Sequence, residues 1–300
     1  MIIFHSKLDR VGHQSQINAA LFCSEKIAER FNEDFIHKTY KNENFCLSDN
    51  TIIDTRRFCI LENTENGKII IFNYGIRKNQ NTNYLFDILR DRIILHFHNQ
   101  INENKFDYNM KTYPFFHIPF KENNTLDFYD EPKINKGVFR GSSITSSIRK
   151  EIFNNYNKIK YPNIDIINSK DSKLSFIEYI KELDSYKYGI SFIGFGNNCH
   201  RDAEVLSRKR VLICSDKVNY LNPLIDGYNC LMYSGNDYET ILTQINNIIL
   251  KTTKEEYIYI AENGFKWYNE CCNKENIGDF VMSKFPNEIE LFFENTGLCN

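Results

Sequence analysis

Short apolar runs alternate along the chain with stretches whose apolar residues recur at helical spacing, and this alternation predicts strands separated by helices. The first strand runs from Ile2 to His5 and is followed by a polar loop from Ser6 to Gln14. A helix from about Ser15 to Phe31 comes next, with Ile17, Ala20, Leu21, Ile27, Ala28 and Phe31 on one face. Beyond a short run at Thr51-Ile-Ile-Asp54, Cys59-Ile-Leu and Ile69-Ile-Ile-Phe72 flank Glu65-Asn-Gly67, and the Asn-Gly pair signals a hairpin. A helix near Tyr84 to Arg90 and a strand from Ile93 to Phe97 lead into a polar segment from Asn99 to Lys136. That segment holds one more apolar run, Phe115 to Phe120. The composition shift places a domain boundary near residue 133.

The second half alternates more regularly. Strands are expected at Val138 to Arg140, Ile164 to Ile167, Tyr188 to Phe195, Val211 to Cys214 and Cys230 to Tyr233. Helices are expected at about Ser146 to Tyr156, Ser172 to Leu183, Arg201 to Arg208 and Tyr238 to Leu250. Near-continuous apolar strands between helices imply a parallel sheet covered on both faces, and right-handed crossovers make it Rossmann-like. Helical stretches at about Thr253 to Cys271 and Ile277 to Phe293 close the chain. The expectation is an α/β protein with two Rossmann-like domains, 1–133 and 134–275, facing each other across a cleft. Residues 276–300 carry a separate amphipathic stretch expected to cross back onto the first domain.

Composition narrows the function classes. With 42% apolar and 14% aromatic residues in 300, the chain has material for a sizeable core. A formal charge of −2, both signs interspersed, gives no general attraction to nucleic acid or anionic lipid, so any anion site must be local. Nine cysteines without a CxxC pair suggest neither a disulfide framework nor a zinc ribbon. The apolar start is too short for a secretory leader, and no run approaches the ~18 apolar residues that span a bilayer. A cytoplasmic protein without a membrane span is expected.

Two turns concentrate the chemistry. Gly137-Val-Phe-Arg-Gly-Ser-Ser-Ile-Thr-Ser-Ser-Ile-Arg149 is an apolar run that breaks into hydroxyl-bearing residues and then a helix. Such a turn delivers backbone N–H groups, the hydroxyls of Ser142, Ser143 and Thr145 and a helix N-terminus to one place, suited to a diphosphate. Arg140 and Arg149 bracket it, and guanidinium forks match phosphate oxygens. Equally, Ser and Thr are ordinary helix caps. The second turn, Gly194-Phe-Gly-Asn-Asn-Cys-His-Arg-Asp-Ala-Glu204, is not the dinucleotide fingerprint. It offers Arg201 to neutralise phosphate and Glu204 to accept from ribose hydroxyls, although an exposed i,i+3 pair is the alternative. The first loop, with Asp9 and His13, follows a first strand, where open α/β sheets keep their ligands, while His13 serves as well to cap or pack the helix start.

Phe139-Arg-Gly-Ser142, Thr145-Ser146 and Arg149 resemble the donor-site motif of the protein O-glucosyltransferase or capsule-associated glycosyltransferase family, with one residue inserted. Tyr186-Lys-Tyr188, Arg201 and Val211-Leu-Ile213 are similar to a second block of that family, in which Arg201 stands at a donor-phosphate arginine. Tyr220 to Tyr228 and Ile260 to Gly264 resemble the segments that follow. The resemblance covers roughly residues 137 to 270 and implies the GT-B fold. Glu204-Val-Leu-Ser-Arg-Lys-Arg-Val-Leu-Ile213 is also similar to the glutamate-led helix of other GT-B enzymes, whose glutamate contacts the ribose. Asp9-Arg-Val-Gly-His13 resembles the acceptor-side first loop of such enzymes. The family's aspartate–tyrosine–proline segment, which holds its base, has its nearest counterpart in Lys111-Thr-Tyr-Pro114, with threonine in the aspartate's place.

The resemblance implies an inverting glycosyltransferase that moves a sugar from a UDP-sugar, UDP-glucose or UDP-xylose, to a glycan or glycoprotein hydroxyl. Asp9 or His13 would be the base, and Arg140, Ser142, Ser143, Thr145, Arg149, Arg201 and Glu204 would hold the donor. No metal or other cofactor is expected, because no D-x-D stands at a strand end. The rival is a non-catalytic nucleotide-sugar or glycan-binding protein on the same fold.

Overall fold

The computed structural model describes residues 1–7, 14–41, 43–53, 58–74, 88–98, 106–107, 110–118, 131–156, 161–194 and 196–294. Packing gathers the mixed α/β chain into two compact units, one of Met1–Ile118 with Glu270–Asn300, the other of Pro119–Asn269. Most of the expected helix near Tyr84 lies outside the described residues.

The first unit is built on a seven-stranded sheet. Its strands are β1 (Ile2–Lys7), β2 (Phe35–Tyr40), β5 (Phe58–Asn63), β6 (Ile69–Asn73), β7 (Ile93–His98), β8 (Phe106–Asp107) and β9 (Met110–Pro114). A small ribbon of β3 (Phe45–Cys46) and β4 (Ile52–Ile53) stands beside them in sequence. The sheet order is β2-β1-β5-β6-β7-β9-β8, and helix α1 (Gln14–Arg30) joins β1 to β2. The sheet is mixed, unlike an all-parallel Rossmann sheet: β5 runs antiparallel to both β1 and β6. The inversion follows from the expected hairpin, whose Gly67 takes φ +68°, a conformation glycine adopts without steric penalty. Apolar residues of β5 and β6, among them Ile60, Ile69 and Ile71, pack against Phe45, Leu47 and Ile53 from the ribbon. Strand β2 carries no apolar run because it is an edge strand whose middle four residues are exposed.

A buried polar network crosses β1 and β5. Glu62 and His5 are both fully buried, and His5 Nε2 lies 2.9 Å from Glu62 Oε2. Ser48 donates to Glu62 from its hydroxyl at 2.6 Å and from its backbone N–H at 3.0 Å. Arg92 adds a longer contact of 3.4 Å, and His5 Nδ1 meets the Tyr40 hydroxyl at 2.9 Å. Burial alone would push the Glu62 carboxyl up, but the hydrogen bonds from His5 and Ser48 outweigh it and hold the group below the usual glutamate value.

The second unit is a five-stranded parallel sheet of order β11-β10-β12-β13-β14, from β10 (Ile134–Gly141), β11 (Ile164–Asn168), β12 (Tyr186–Ile190), β13 (Val211–Ser215) and β14 (Leu231–Tyr233). Helices α2 (Ser147–Asn155), α3 (Phe176–Ser185) and α4 (His200–Ser207) follow β10, β11 and β12, and α5 (Tyr238–Lys251) and α6 (Lys254–Cys271) follow β14. Helix α3 starts later than expected, because Ser175 and Glu178 form a reciprocal capping box there. The core on one face joins Phe139, Ile164, Tyr188, Ile190 and Ile213 to Ile152 of α2 and Ile241, Ile245 and Ile249 of α5. On β12, a Cβ at Gly189 would fall 2.2 Å from Val205 Cγ2, so only glycine lets α4 approach this closely.

The closing stretch is two helices, α7 (Ile277–Lys284) and α8 (Pro286–Phe293), which pack within the first unit. Pro286 splits the single stretch read from periodicity, since it has no N–H to continue a helix and suits a first turn. Phe285 meets Tyr113 with ring centres 4.5 Å apart, and Phe280 meets Phe116 at 5.6 Å. The β5–β6 turn caps the carboxyl end of α8. Asn63 and Asn66 donate to the Phe292 carbonyl at 3.0 and 2.9 Å, and the Lys68 ammonium donates to Leu291 at 2.6 Å.

Candidate functional site

In the second unit β10 and β11 grow the sheet one way and β12 to β14 the other, so the strand order reverses between β10 and β12. Parallel α/β sheets place ligands beyond the carboxyl ends of the strands at such a reversal, where two loops diverge. The loops here are Ser142 to Ser146 after β10 and Ser191 to Cys199 after β12. They are the two turns singled out by their residue types.

The loops are tied to each other across the reversal. After β10 a single 3₁₀ turn, Ser143–Thr145, precedes α2, whose N-cap Ser146 accepts from the Arg149 N–H. The Ser146 hydroxyl donates to the Ile193 carbonyl at 2.8 Å. Arg149 donates from Nε to the same carbonyl at 3.0 Å and from Nη2 to Phe192 O. Arg201, in the first turn of α4, reaches the opposite way and donates from Nη2 to the carbonyl of Arg140. Each arginine therefore binds backbone of the other strand–loop unit, Arg149 in the loop after β12 and Arg201 at the end of β10. The expected strand from Tyr188 to Phe195 ends at Ile190, because the carbonyls of Phe192 and Ile193 leave the sheet for Arg149.

Both guanidiniums lie on one aromatic ring. Cζ of Arg149 is 5.1 Å and Cζ of Arg201 is 4.6 Å from the centre of the buried Phe139 ring. Gly194 lies against the Arg149 fork; a Cβ there would be 3.1 Å from Nη2. Arg149 is 5% exposed and Arg201 6%, and among the described residues neither forms a salt bridge. Among the described residues Arg201 Nε has no hydrogen-bond partner. Burial pushes Arg149 below the ordinary guanidinium value, Cys199 opposes that, and Arg201 adds to it. Burial also works against the Arg201 cation, yet Tyr179, Cys199 and Glu204 together push its value up. Two neighbouring buried cations that form no salt bridge among the described residues, with Glu204 acting on Arg201 only at longer range, are complementary in charge to a doubly charged anion.

The remaining expected residues are placed as follows. Arg140 is a correction: its guanidinium is filled by Glu182, with Nε to Oε1 at 2.7 Å and Nη2 to Oε2 at 2.5 Å, so the fork faces α3. The alternation of side chains along β10 sends Phe139 and Arg140 to opposite faces of the sheet. Glu204 sits one turn beyond Arg201, buried, with the Tyr179 hydroxyl donating to its Oε2 at 3.0 Å. The Ser142 hydroxyl accepts weakly from Ile144 N–H at 3.4 Å, and Thr145 donates to Ser142 O at 3.4 Å. Ser143 is partly exposed in the same 3₁₀ turn. Asp9 and His13 lie outside the described residues. Thr112, at the position where the resemblance expects an aspartate, is buried with its hydroxyl 2.9 Å from His96 Nδ1.

Several contributors were given no role of their own by the sequence. Ser146, Phe139 and Cys199 stand inside the recognised turns, and a Ser three residues before Arg149 is a legible cap signal. Tyr179 and Glu182 come from α3, and nothing in their local sequence marks them. Among the described residues no group of three His, Cys, Asp or Glu is placed to hold a metal ion, and no helix is long and apolar enough to cross a membrane. No protein-family model matches the chain, and no curated protein matches it.

Proposed function

We propose that the protein is an inverting glycosyltransferase of the GT-B kind, whose second unit binds a UDP-sugar, UDP-glucose or UDP-xylose, through its diphosphate. One observation carries the reading: Arg149 and Arg201 stand on the Phe139 ring at the strand-order reversal without a carboxylate partner among the described residues. The diphosphate would take the place of the missing counter-ion. As the bond from sugar to phosphate breaks, negative charge grows on the leaving UDP, and fixed guanidiniums and the N-terminus of α2 favour that charge most where it develops. Glu204 would accept from the ribose. Asp9 or His13 would take the proton of the glycan or glycoprotein acceptor.

The test is a panel of nucleotide-sugars, first for thermal stabilisation and then for transfer to sugar acceptors. A donor at ~100 times its dissociation constant adds ~2.7 kcal/mol to stability. Stabilisation by UDP and UDP-sugars, with transfer giving a product of inverted configuration, is expected; no stabilisation by any of them would refute the reading. A second reading is favoured by Thr112, which occupies the place of an expected base and is engaged by His96. In it the protein binds a nucleotide-sugar without transferring it, and UDP-sugar stabilisation without turnover identifies that case.

A further inference from the structure

Arg201 and Glu204 stand three residues apart on α4, a spacing that makes a guanidinium and a carboxylate neighbours on a helix. Both are buried, Arg201 at 6% exposed and Glu204 at 3%, and opposite charges attract more strongly away from water. Left to themselves they would pair. They form no salt bridge; Glu204 Oε2 instead accepts from the Tyr179 hydroxyl at 3.0 Å. Tyr179 comes from α3, and Arg140 pins that helix by donating to Glu182 at 2.7 and 2.5 Å and to the Ser172 carbonyl at 2.6 Å. Burial, with Glu204 beside it, pushes the phenol well above its ordinary value, so at neutral pH it keeps the proton it donates.

We propose that Tyr179 is a positioning residue of the anion site: by holding the Glu204 carboxylate it keeps that carboxylate off Arg201 and leaves the guanidinium for a phosphate from outside. The hydroxyl acts through Glu204, not on the ligand. Without it a buried carboxylate oxygen loses its donor, and Arg201, one turn back, is the cation that can replace it. An Arg201–Glu204 pair would then answer the charge that a phosphate otherwise answers. This role presupposes that Arg149 and Arg201 take an anion, as proposed for the diphosphate; the anion need not belong to a nucleotide-sugar.

The test is calorimetric titration of pyrophosphate into the full-length protein, unmutated and as Tyr179→Phe, Glu204→Gln and the double variant. A hydrogen bond to a charged group is worth about 10- to 100-fold in affinity, so Tyr179→Phe alone should weaken pyrophosphate by about that factor. The same change should have little effect once Glu204→Gln is present, because an amide has no charge with which to occupy Arg201. The double variant should therefore bind more tightly than Tyr179→Phe. A hydroxyl that only braces α3 against α4 would cost the same in both backgrounds. Equal losses in the two backgrounds, or no loss in either, would overturn the proposal while leaving the anion site in place. Glu204→Gln alone keeps the phenol and gives a second measurement. Tightening by about tenfold or more would mean that Glu204 already occupies Arg201, and would also overturn the proposal; a smaller change is what a carboxylate held aside predicts. No pyrophosphate binding by the unmutated protein would remove the site and the role of Tyr179 together.

Discussion

Glu62 in the first unit and Arg201 in the second are both charged side chains at least nine-tenths removed from water, yet their surroundings differ in kind. Glu62 receives His5, two donors from Ser48 and a long contact from Arg92. Arg201 receives a carbonyl, a sulfur and a ring, next to a second arginine held the same way. The second unit is able to pair its buried arginines: Arg208 meets Asp184 at 2.8 and 2.6 Å, and Arg140 meets Glu182. A charge neutralised from within belongs to the fold, whereas a pair of like charges with no salt bridge among the described residues is a place where something from outside fits.

The largest effect should come from Glu62→Gln, which leaves His5 and Arg92 facing a neutral amide. Breaking a buried pair costs about 3–5 kcal/mol, and urea unfolding near neutral pH should register a loss of that size. The sign with pH is fixed: the folded carboxyl titrates below its ordinary 4.5, so its stabilisation is complete above that value and fades as pH falls through the lower folded one. The gap between the unmutated protein and Glu62→Gln should close in acid. A gap that stays constant in acid would show that Glu62 is not the ionised partner.

Arg201→Met sharpens the contrast from the other side. Losing a hydrogen bond to a charged group removes about 1.5–3 kcal/mol of binding, or about 10- to 100-fold in affinity. Calorimetry with UDP or pyrophosphate should show that weakening, while the ligand-free variant loses less stability than Glu62→Gln. Equal losses of stability would make Arg201 a structural charge like Glu62 and end the comparison.

Gly189→Ala asks whether backbone contact, not charge, is what the second unit cannot spare. Its Cβ would overlap Val205, and overpacking costs about 1–3 kcal/mol. The double change with Val205→Ala should recover part of that loss in the same urea titration; no recovery would place the strain elsewhere. The smallest effect is Ser146→Ala, about 1 kcal/mol for a lost N-cap. Thermal unfolding should register it, and a gain in stability would mean that the hydroxyl strains the turn.

The second unit was readable because its inner strands β12 and β13 are buried on both faces and therefore write continuous apolar runs, with helices between strands. Most of the first unit's strands were legible too, down to the short run at β4, but the exposed edge strand β2, the two-residue strands β3 and β8, and β9 write no such run. Local sequence singles out the two turns with Arg149 and Arg201, since hydroxyls, glycines and arginines sit within a few residues of each other, and the fold brings these two arginines onto one ring. It misassigned Arg140, whose partner Glu182 is 42 residues away and reaches it only through strand pairing and helix packing. The Tyr179–Glu204 bond, 25 residues apart, was hidden for the same reason.

The cap that the β5–β6 turn places on α8 spans more than two hundred positions: Asn63 and Phe292 are 229 apart. During synthesis the whole of 119–269 leaves the ribosome before Pro286 does, so the second unit can close while the first is still unfinished. Until the last helices are made, Phe97, Tyr113 and Phe116 are without Phe280 and Phe285. The nascent chain thus carries an open apolar seam until residues 277–293 are made, and the last turn of α8 is the clasp that ends that interval.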